Sequence, residues 1–166
     1  DYGGDNPSLD NRAYTAAAIE TVLKLWDDPQ PGVWETEWWK FRVPEPQEDI
    51  GLRTHMRPYQ KPHPPIGVAG VTPYSSTLKM AGNRGWIPMS INLTPPVLLK
   101  THREAIEQGA REGGLEPRLS EWRVAREVFV AETTAEAREI ALNGVLGRDF
   151  NDYFLRLLAK GGMLGI

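Results

Sequence analysis

The sequence has 166 residues, 40% of them apolar and 25% charged, with a net charge of −3. That length supports one domain with a core, and the acidic balance gives no electrostatic footprint for nucleic acid or an anionic membrane surface. Cysteine is absent, which excludes disulfides, thiolate metal sites and cysteine nucleophiles, and no apolar run approaches the roughly 20 residues that span a bilayer.

The chain opens on DYGGDNPSLD, which has neither the basic nor the apolar region of a signal peptide. A cytoplasmic setting is expected. The stretch begins without Met and reads like the middle of a loop, so the expectation is a portion of a longer protein.

Asp10 or Asn11 is placed to cap a helix running to about Trp26, with Ile19, Val22, Leu23 and Trp26 at i, i+3, i+4 and i+7. Asp27 to Gly32 ends it. Residues 33–65 form an irregular Trp/Pro-rich excursion containing Trp34, Trp38, Trp39 and Phe41, with a short hairpin expected over Trp34 to Val43. Connections of this length inside a domain are usually functional or partly disordered, and the aromatics argue against full disorder. Two roles suit the tryptophans: pinning the excursion to the body of the fold, or walling an apolar substrate pocket with Trp38 and Trp39.

Pro62 to Pro65 then stiffens the entry to an apolar run, Ile66 to Val71. The polar turn Thr72-Pro73-Tyr74-Ser75-Ser76 opens a short helix over Thr77 to Ala81, which Gly82 to Gly85 stops, and Trp86 to Ile91 is a second apolar run. Two short apolar strands joined by a helix belong to a parallel sheet, and ligands of such sheets sit beyond the carboxyl ends of the strands. The hydroxyls following Val71 occupy such an end.

Thr94 is expected to cap a further helix with Pro95 at its first position, ending at Gly113-Gly114. Trp122 to Ala131 reads as a third strand. Thr133 and Glu136 make a capping box for a helix with Ala137, Ile140, Ala141 and Val145 on one face, and a last helix from about Asp149 precedes a frayed GGMLGI tail. The alternation of helix and strand is an α/β pattern. Strand starts at Ile66, Trp86 and Trp122 match the roughly 31 residues per unit of a (β/α)8 barrel, although three strands do not close one.

Arg12 with Glu20 ahead of Leu25-Trp26, the string Pro58-Tyr59-Gln60-Lys61-Pro62-His63-Pro64-Pro65-Ile66, the small-residue strand followed by Ser75-Ser76, and Gly85 before the next strand together resemble the bacterial-luciferase-like flavin-dependent monooxygenases. The limonene- or alkanal-monooxygenase branch is the nearest in kind. The resemblance implies a TIM-type (β/α)8 barrel, represented here by its C-terminal strands and helices, with residues 1–166 as the C-terminal portion of one barrel domain. It implies reduced FMN, or F420 in some branches, with O2 and an apolar or carbonyl organic substrate. It also implies a separate NAD(P)H:flavin reductase and a homodimer. The family's first strands, which lie against the flavin ring, have no counterpart in these residues, so catalytic residues stay unassigned.

The same resemblance puts Ser75 and Ser76 around the flavin phosphate; Tyr74 and Thr77 are expected in the same cradle, with Gly70 and Val71 at the strand end admitting close approach of the flavin tail. A helix N-terminus favours an anion on physical grounds too; against that, one serine here has a simpler role as an N-cap. Met89, Ser90 and Asn92 close the second strand of the central unit, and Met89 is expected to face the pocket, with core packing the alternative. His63 is expected to be structural, and His55 and His102 solvated; three histidines so scattered do not have metal-ligand spacing. Alternatives of a different kind are an F420-dependent oxidoreductase of the same fold and a non-catalytic flavin-binding scaffold.

Overall fold

A computed structural model describes residues 11–27, 29–52 and 58–161. The caps expected at Asp10, the environment of His55 and most of the glycine-rich tail lie outside the described residues. The chain forms two compact units, Asp1–Pro64 and Pro65–Ile166.

In the first unit a helix, α1 (Asn11–Asp27), is followed by the expected hairpin, β1 (Gly32–Glu35) and β2 (Lys40–Val43), with Trp34 opposite Phe41 and Glu35 opposite Lys40. Thr36 makes the turn: its hydroxyl donates to the Trp39 carbonyl and accepts the amides of Trp38 and Trp39. Tyr14 of α1 meets Trp38 and Trp39 edge-on, with ring centroids 5.5 and 5.1 Å away. Such contacts add to the apolar area they bury. The face of α1 that lines the groove beside Trp39 and Phe41 is Tyr14, Ala18, Thr21, Val22 and Leu25. The expected stripe of Ile19, Val22, Leu23 and Trp26 is only half-buried or exposed. Thr21 takes the deepest place because its hydroxyl donates back to the Ala17 carbonyl, which removes the cost of burying it.

The second unit holds a three-stranded parallel sheet, β3 (Gly67–Gly70), β4 (Ile87–Ser90) and β5 (Arg123–Val124), in the order β3-β4-β5. The helix α2 (Ser76–Arg84) crosses from β3 to β4, and α3 (Leu99–Glu112) leads from β4 towards β5. Gly70 aligns with Ser90, so the carboxyl ends of β3 and β4 share one edge. Pairing of Val68 with Pro88 and of Gly70 with Ser90 puts those residues on one face, and Gly67, Ala69, Ile87 and Met89 on the other. The first face is the more buried.

Leu78, Ala81, Ala105, Ile106 and Ala110 form the core between α2 and α3. Glycines set how close these helices come. A Cβ added at Gly82 would lie 2.2 Å from the Ile106 carbonyl oxygen, and one at Gly109 would lie 1.9 Å from that of Lys79. That packing explains why α2 runs on to Arg84 where a stop at Gly82 was expected. Glycine inside a helix costs about 1 kcal/mol, and here close backbone approach offsets it. The stop is Gly85, at φ +66, with the Trp86 amide donating to Ala81 and the Gly85 amide to Gly82, a Schellman ending.

Two expected boundaries move. Thr94 does not cap: its hydroxyl is buried without a hydrogen-bond partner, and a 3-10 turn begins at Pro96 ahead of α3. The tandem prolines are the reason, because a residue before proline is pushed out of the α region and Pro95 sits at ψ 142. The third strand shrinks from Trp122–Ala131 to Arg123–Val124, since its ladder with β4 ends where Ala125 donates to Ser90 and β4 turns away. Val128 and Val130 are left more than four-fifths exposed.

Downstream, α4 (Thr134–Asn143) starts where Thr133 Oγ1 accepts the Glu136 amide. A short helix, α5 (Val145–Asp149), passes through a π-helical turn at Phe150–Phe154 into α6 (Leu155–Lys160). The apolar face expected on α4 is not buried among the described residues: Ile140 and Val145 are exposed, as are Leu142, Leu146 and Tyr153.

Candidate functional site at the carboxyl edge of the sheet

The bend from Val71 to Thr77 leaves the sheet at the end of β3 and delivers the chain into α2. Its conformation is held by an internal relay. Thr77 Oγ1 donates to the Ala69 carbonyl at 2.7 Å, which leaves Ser75 Oγ to donate to Thr77 Oγ1 at 2.9 Å and to accept the Leu78 amide at 3.4 Å. Ser75 is 3% exposed. It is the N-cap of α2, turned inward, with its proton committed to Thr77. The adjacent Ser76 is exposed, and the amides of Ser76 and Thr77 lie in the first turn, whose N–H groups have no intrahelical acceptor.

Gly70 has a role in packing. The space above it is filled by Leu78 Cγ and Ser75 Oγ, 2.5 and 2.6 Å from where a Cβ would stand. Any side chain there displaces the N-terminus of α2 from the strand end. Tyr74 sits at φ +50, in the left-handed region, with its side chain 64% exposed. An L-residue pays about 1–2 kcal/mol for that conformation, and such outliers concentrate where geometry serves a function. Val71 is half-buried at the strand end.

Met89 is half-buried on the more open face of the sheet, its methyl group 3.2 Å from where a Gly67 Cβ would be. Small residues at Gly67 and Ala69 therefore leave it room. Asn92 Nδ2 donates to Glu127 Oε1 at 2.8 Å, joining the segments that follow β4 and β5.

His102 overturns its expected solvation. It is fully buried on α3, with Nδ1 2.8 Å from Ser90 Oγ and Nε2 3.0 Å from the Thr72 carbonyl oxygen. Trp122 Nε1 donates to the same serine oxygen at 2.9 Å. A helix position flanked by Thr101, Arg103 and Glu104 looks solvated in sequence; the i, i+3, i+4 spacing of His102 with Ala105 and Ile106 was the signal that it shares their buried face. His63 has the structural part expected of it, half-buried, with Nδ1 donating to the Pro64 carbonyl and its ring 6.3 Å from Trp26.

In the first unit, Trp39 lines an open apolar groove of about 310 Å³ with Tyr14, Leu25 and Phe41. Both Trp38 and Trp39 contact Tyr14, which ties the hairpin turn to α1 within this unit. Among the described residues no cluster of His, Cys, Asp or Glu is arranged to hold a metal, and no helix is long and apolar enough to cross a membrane.

The chain is similar to known proteins in sequence and in structure. The chain is 30% identical over 146 residues to 3,6-diketocamphane 1,6-monooxygenase of Pseudomonas putida, covering 85% of this chain and 38% of that one. It is 32% identical over 95 residues to 2,5-diketocamphane 1,2-monooxygenase 1 of the same organism, covering 57% of this chain and 26% of that one. A solved structure of the oxygenating constituent of 3,6-diketocamphane monooxygenase from Pseudomonas putida, a type II Baeyer-Villiger monooxygenase in complex with FMN, superposes with a TM-score of 0.80 at 26% identity. That alignment covers 97% of this chain and 44% of the other. The chain thus spans less than half the length of these relatives. The family model for luciferase-like monooxygenases matches residues 4–161: the chain belongs to the luciferase-like monooxygenase family.

Proposed function

We propose that this chain is the C-terminal part of a luciferase-like (β/α)8 barrel, in which the bend Val71–Thr77 holds the phosphate of reduced FMN and the complete enzyme oxygenates an apolar or carbonyl substrate with O2. The observation that carries the reading is the exposed N-terminus of α2 at the carboxyl edge of a parallel sheet. Amides and a helix dipole aimed at one point favour an anion.

The donor chemistry fits the group. Ser76 offers an exposed hydroxyl, Ser76 and Thr77 offer amides, and the exposed Tyr74 stands beside them. Ser75, whose proton already goes to Thr77, acts by shaping the turn, as do Gly70 and Val71 beneath it. Flavin bound there supplies the redox chemistry and O2 activation. This chain's residues anchor the anionic tail and line the sheet face carrying Gly67, Ala69 and Met89. Trp38 and Trp39 are assigned to the substrate wall.

The exposed apolar residues of α4 and α5 and the exposed Val128 and Val130 support additional protein packing against this part of the barrel. A cytoplasmic setting, a separate NAD(P)H:flavin reductase and a homodimer accompany the reading.

Cofactor exchange tests it. The full-length protein, equilibrated with FMN and with F420 and then gel-filtered, is expected to retain FMN, whereas these residues alone are expected to be inactive. Reduced FMN should then support substrate-dependent O2 consumption on a cyclic ketone. Retention of F420 with exclusion of FMN overturns the assignment.

A further inference from the structure

We infer that His102 is a positioning residue for the phosphate-binding bend, acting through its Nε2–H on the Thr72 carbonyl. The inference rests on the reading that the bend holds the FMN phosphate, and adds to it a residue that touches no ligand.

The hydrogen-bond directions follow from the groups involved. A carbonyl only accepts, so His102 Nε2 carries the proton shared with Thr72 at 3.0 Å. In the neutral imidazole Nδ1 is then the acceptor, and Ser90 Oγ donates to it at 2.8 Å. An indole N–H only donates, so Trp122 Nε1 gives its proton to Ser90 Oγ at 2.9 Å. The result is a one-way chain from Trp122 through Ser90 and His102 to Thr72, with the imidazole and the serine wholly buried. Its members come from the residue before β5, the last residue of β4, α3, and the bend after β3. The chain ties the carboxyl ends of β3 and β4, at the edge where the flavin tail would lie, to the residue that leads into β5.

Thr72 is the first residue past Val71, two before the strained Tyr74 and three before the cap Ser75. Its side chain is exposed, so its carbonyl is the group that fixes the start of the bend from inside. Loss of that hold frees the bend to relax the left-handed Tyr74, moving the Ser76 and Thr77 amides off the phosphate. Small displacements of positioning groups are costly at such sites, and buried chains of this kind act as units.

Two substitutions separate the arms of the imidazole. Glutamine places its amide near Nε2 and keeps a donor for Thr72; asparagine places its amide near Nδ1 and releases Thr72. The readout is the ratio of FMN to riboflavin affinity, measured by quenching of flavin fluorescence, because only FMN carries the phosphate. His102→Asn is expected to lower that ratio roughly three- to tenfold, the equivalent of one hydrogen bond, and His102→Gln to restore most of it, with both variants equally folded by near-ultraviolet circular dichroism. Equal ratios in wild type and His102→Asn overturn the inference, as does an equal loss in His102→Gln. Where His102→Asn does not fold, His102→Phe replaces it. That change keeps a planar ring of similar size and removes the donor to Thr72; a lowered ratio supports the inference and an unchanged one overturns it. A wild-type protein with no preference for FMN over riboflavin refutes instead the phosphate reading on which the inference rests.

Discussion

Ser90 and His102 lie 12 positions apart in sequence and meet at 2.8 Å in the interior, the last residue of a strand against the face of a helix. Both are polar and neither is accessible, so the pair is tolerated because each group has its partners. Removing one therefore costs more than the hydrogen bond itself. Ser90→Ala leaves Trp122 Nε1 and His102 Nδ1 without a partner, and a buried orphan costs about 1–3 kcal/mol. A loss of about 2 kcal/mol in unfolding free energy is expected in urea titration.

Gly109 faces the Lys79 carbonyl, which would stand 1.9 Å from an added Cβ. Alanine is the better helix former by about 1 kcal/mol, so propensity alone predicts a gain. Packing decides the sign, because the obstacle is backbone of a neighbouring helix and has nowhere to swing. Overpacking costs about 1–3 kcal/mol. Gly109→Ala is expected to lower the urea midpoint clearly, whereas an increase would show that α2 and α3 are more loosely joined.

Among the described non-glycine residues, Tyr74 stands in the left-handed region, at φ +50. Tyr74→Gly is expected to relieve about 1 kcal/mol of backbone cost while weakening FMN binding, because the phenol is lost and the bend gains freedom. Thermal unfolding and flavin titration on the same variant read the two effects separately. A variant with lower stability and unchanged FMN affinity would contradict the role given to this residue.

Glu112 is held below its ordinary carboxylate range, first by the hydrogen bond from the Lys79 ammonium at 2.8 Å, with Gln108 adding a second. Its folded pKa lies below the unfolded one, so its contribution is present above the unfolded value and is lost as pH falls through the folded one. The pair is exposed and the effect is small. Glu112→Gln should lower the urea midpoint slightly near neutral pH, and the two proteins should converge in strong acid.

How far these features are legible in the sequence depends on the kind of force that sets them. Short apolar runs and turn residues place β3, β4 and the hairpin correctly, because a short apolar run and a glycine or proline boundary are local signals. Ser75 as an N-cap and Thr133 as another are local as well. What the residues conceal is tertiary. Gly82 looks like a helix stop until Ile106 is seen against it. Thr94 looks like a cap until Pro95 and Pro96 shift the helix start. Residues 125–130 have strand composition, but their ladder with β4 ends at Ser90 and, among the described residues, no other strand pairs with them. His102 reads as polar surface among charged neighbours; only the positions of Ser90, Thr72 and Trp122, brought together from the carboxyl ends of β4 and β3 and the residue that leads into β5, make its burial affordable.

The central claim is that the bend at the N-terminus of α2 grips a phosphate. Ser76→Asp tests it with least ambiguity, since an acidic residue in the first turn favours the helix and leaves folding intact while repelling an anion. Titration of the variant with FMN and with riboflavin is the decisive measurement. The account predicts that FMN affinity falls by at least about tenfold, some 1.4 kcal/mol, while riboflavin affinity stays as in the wild type. Equal affinities for FMN in the variant and the wild type would contradict it.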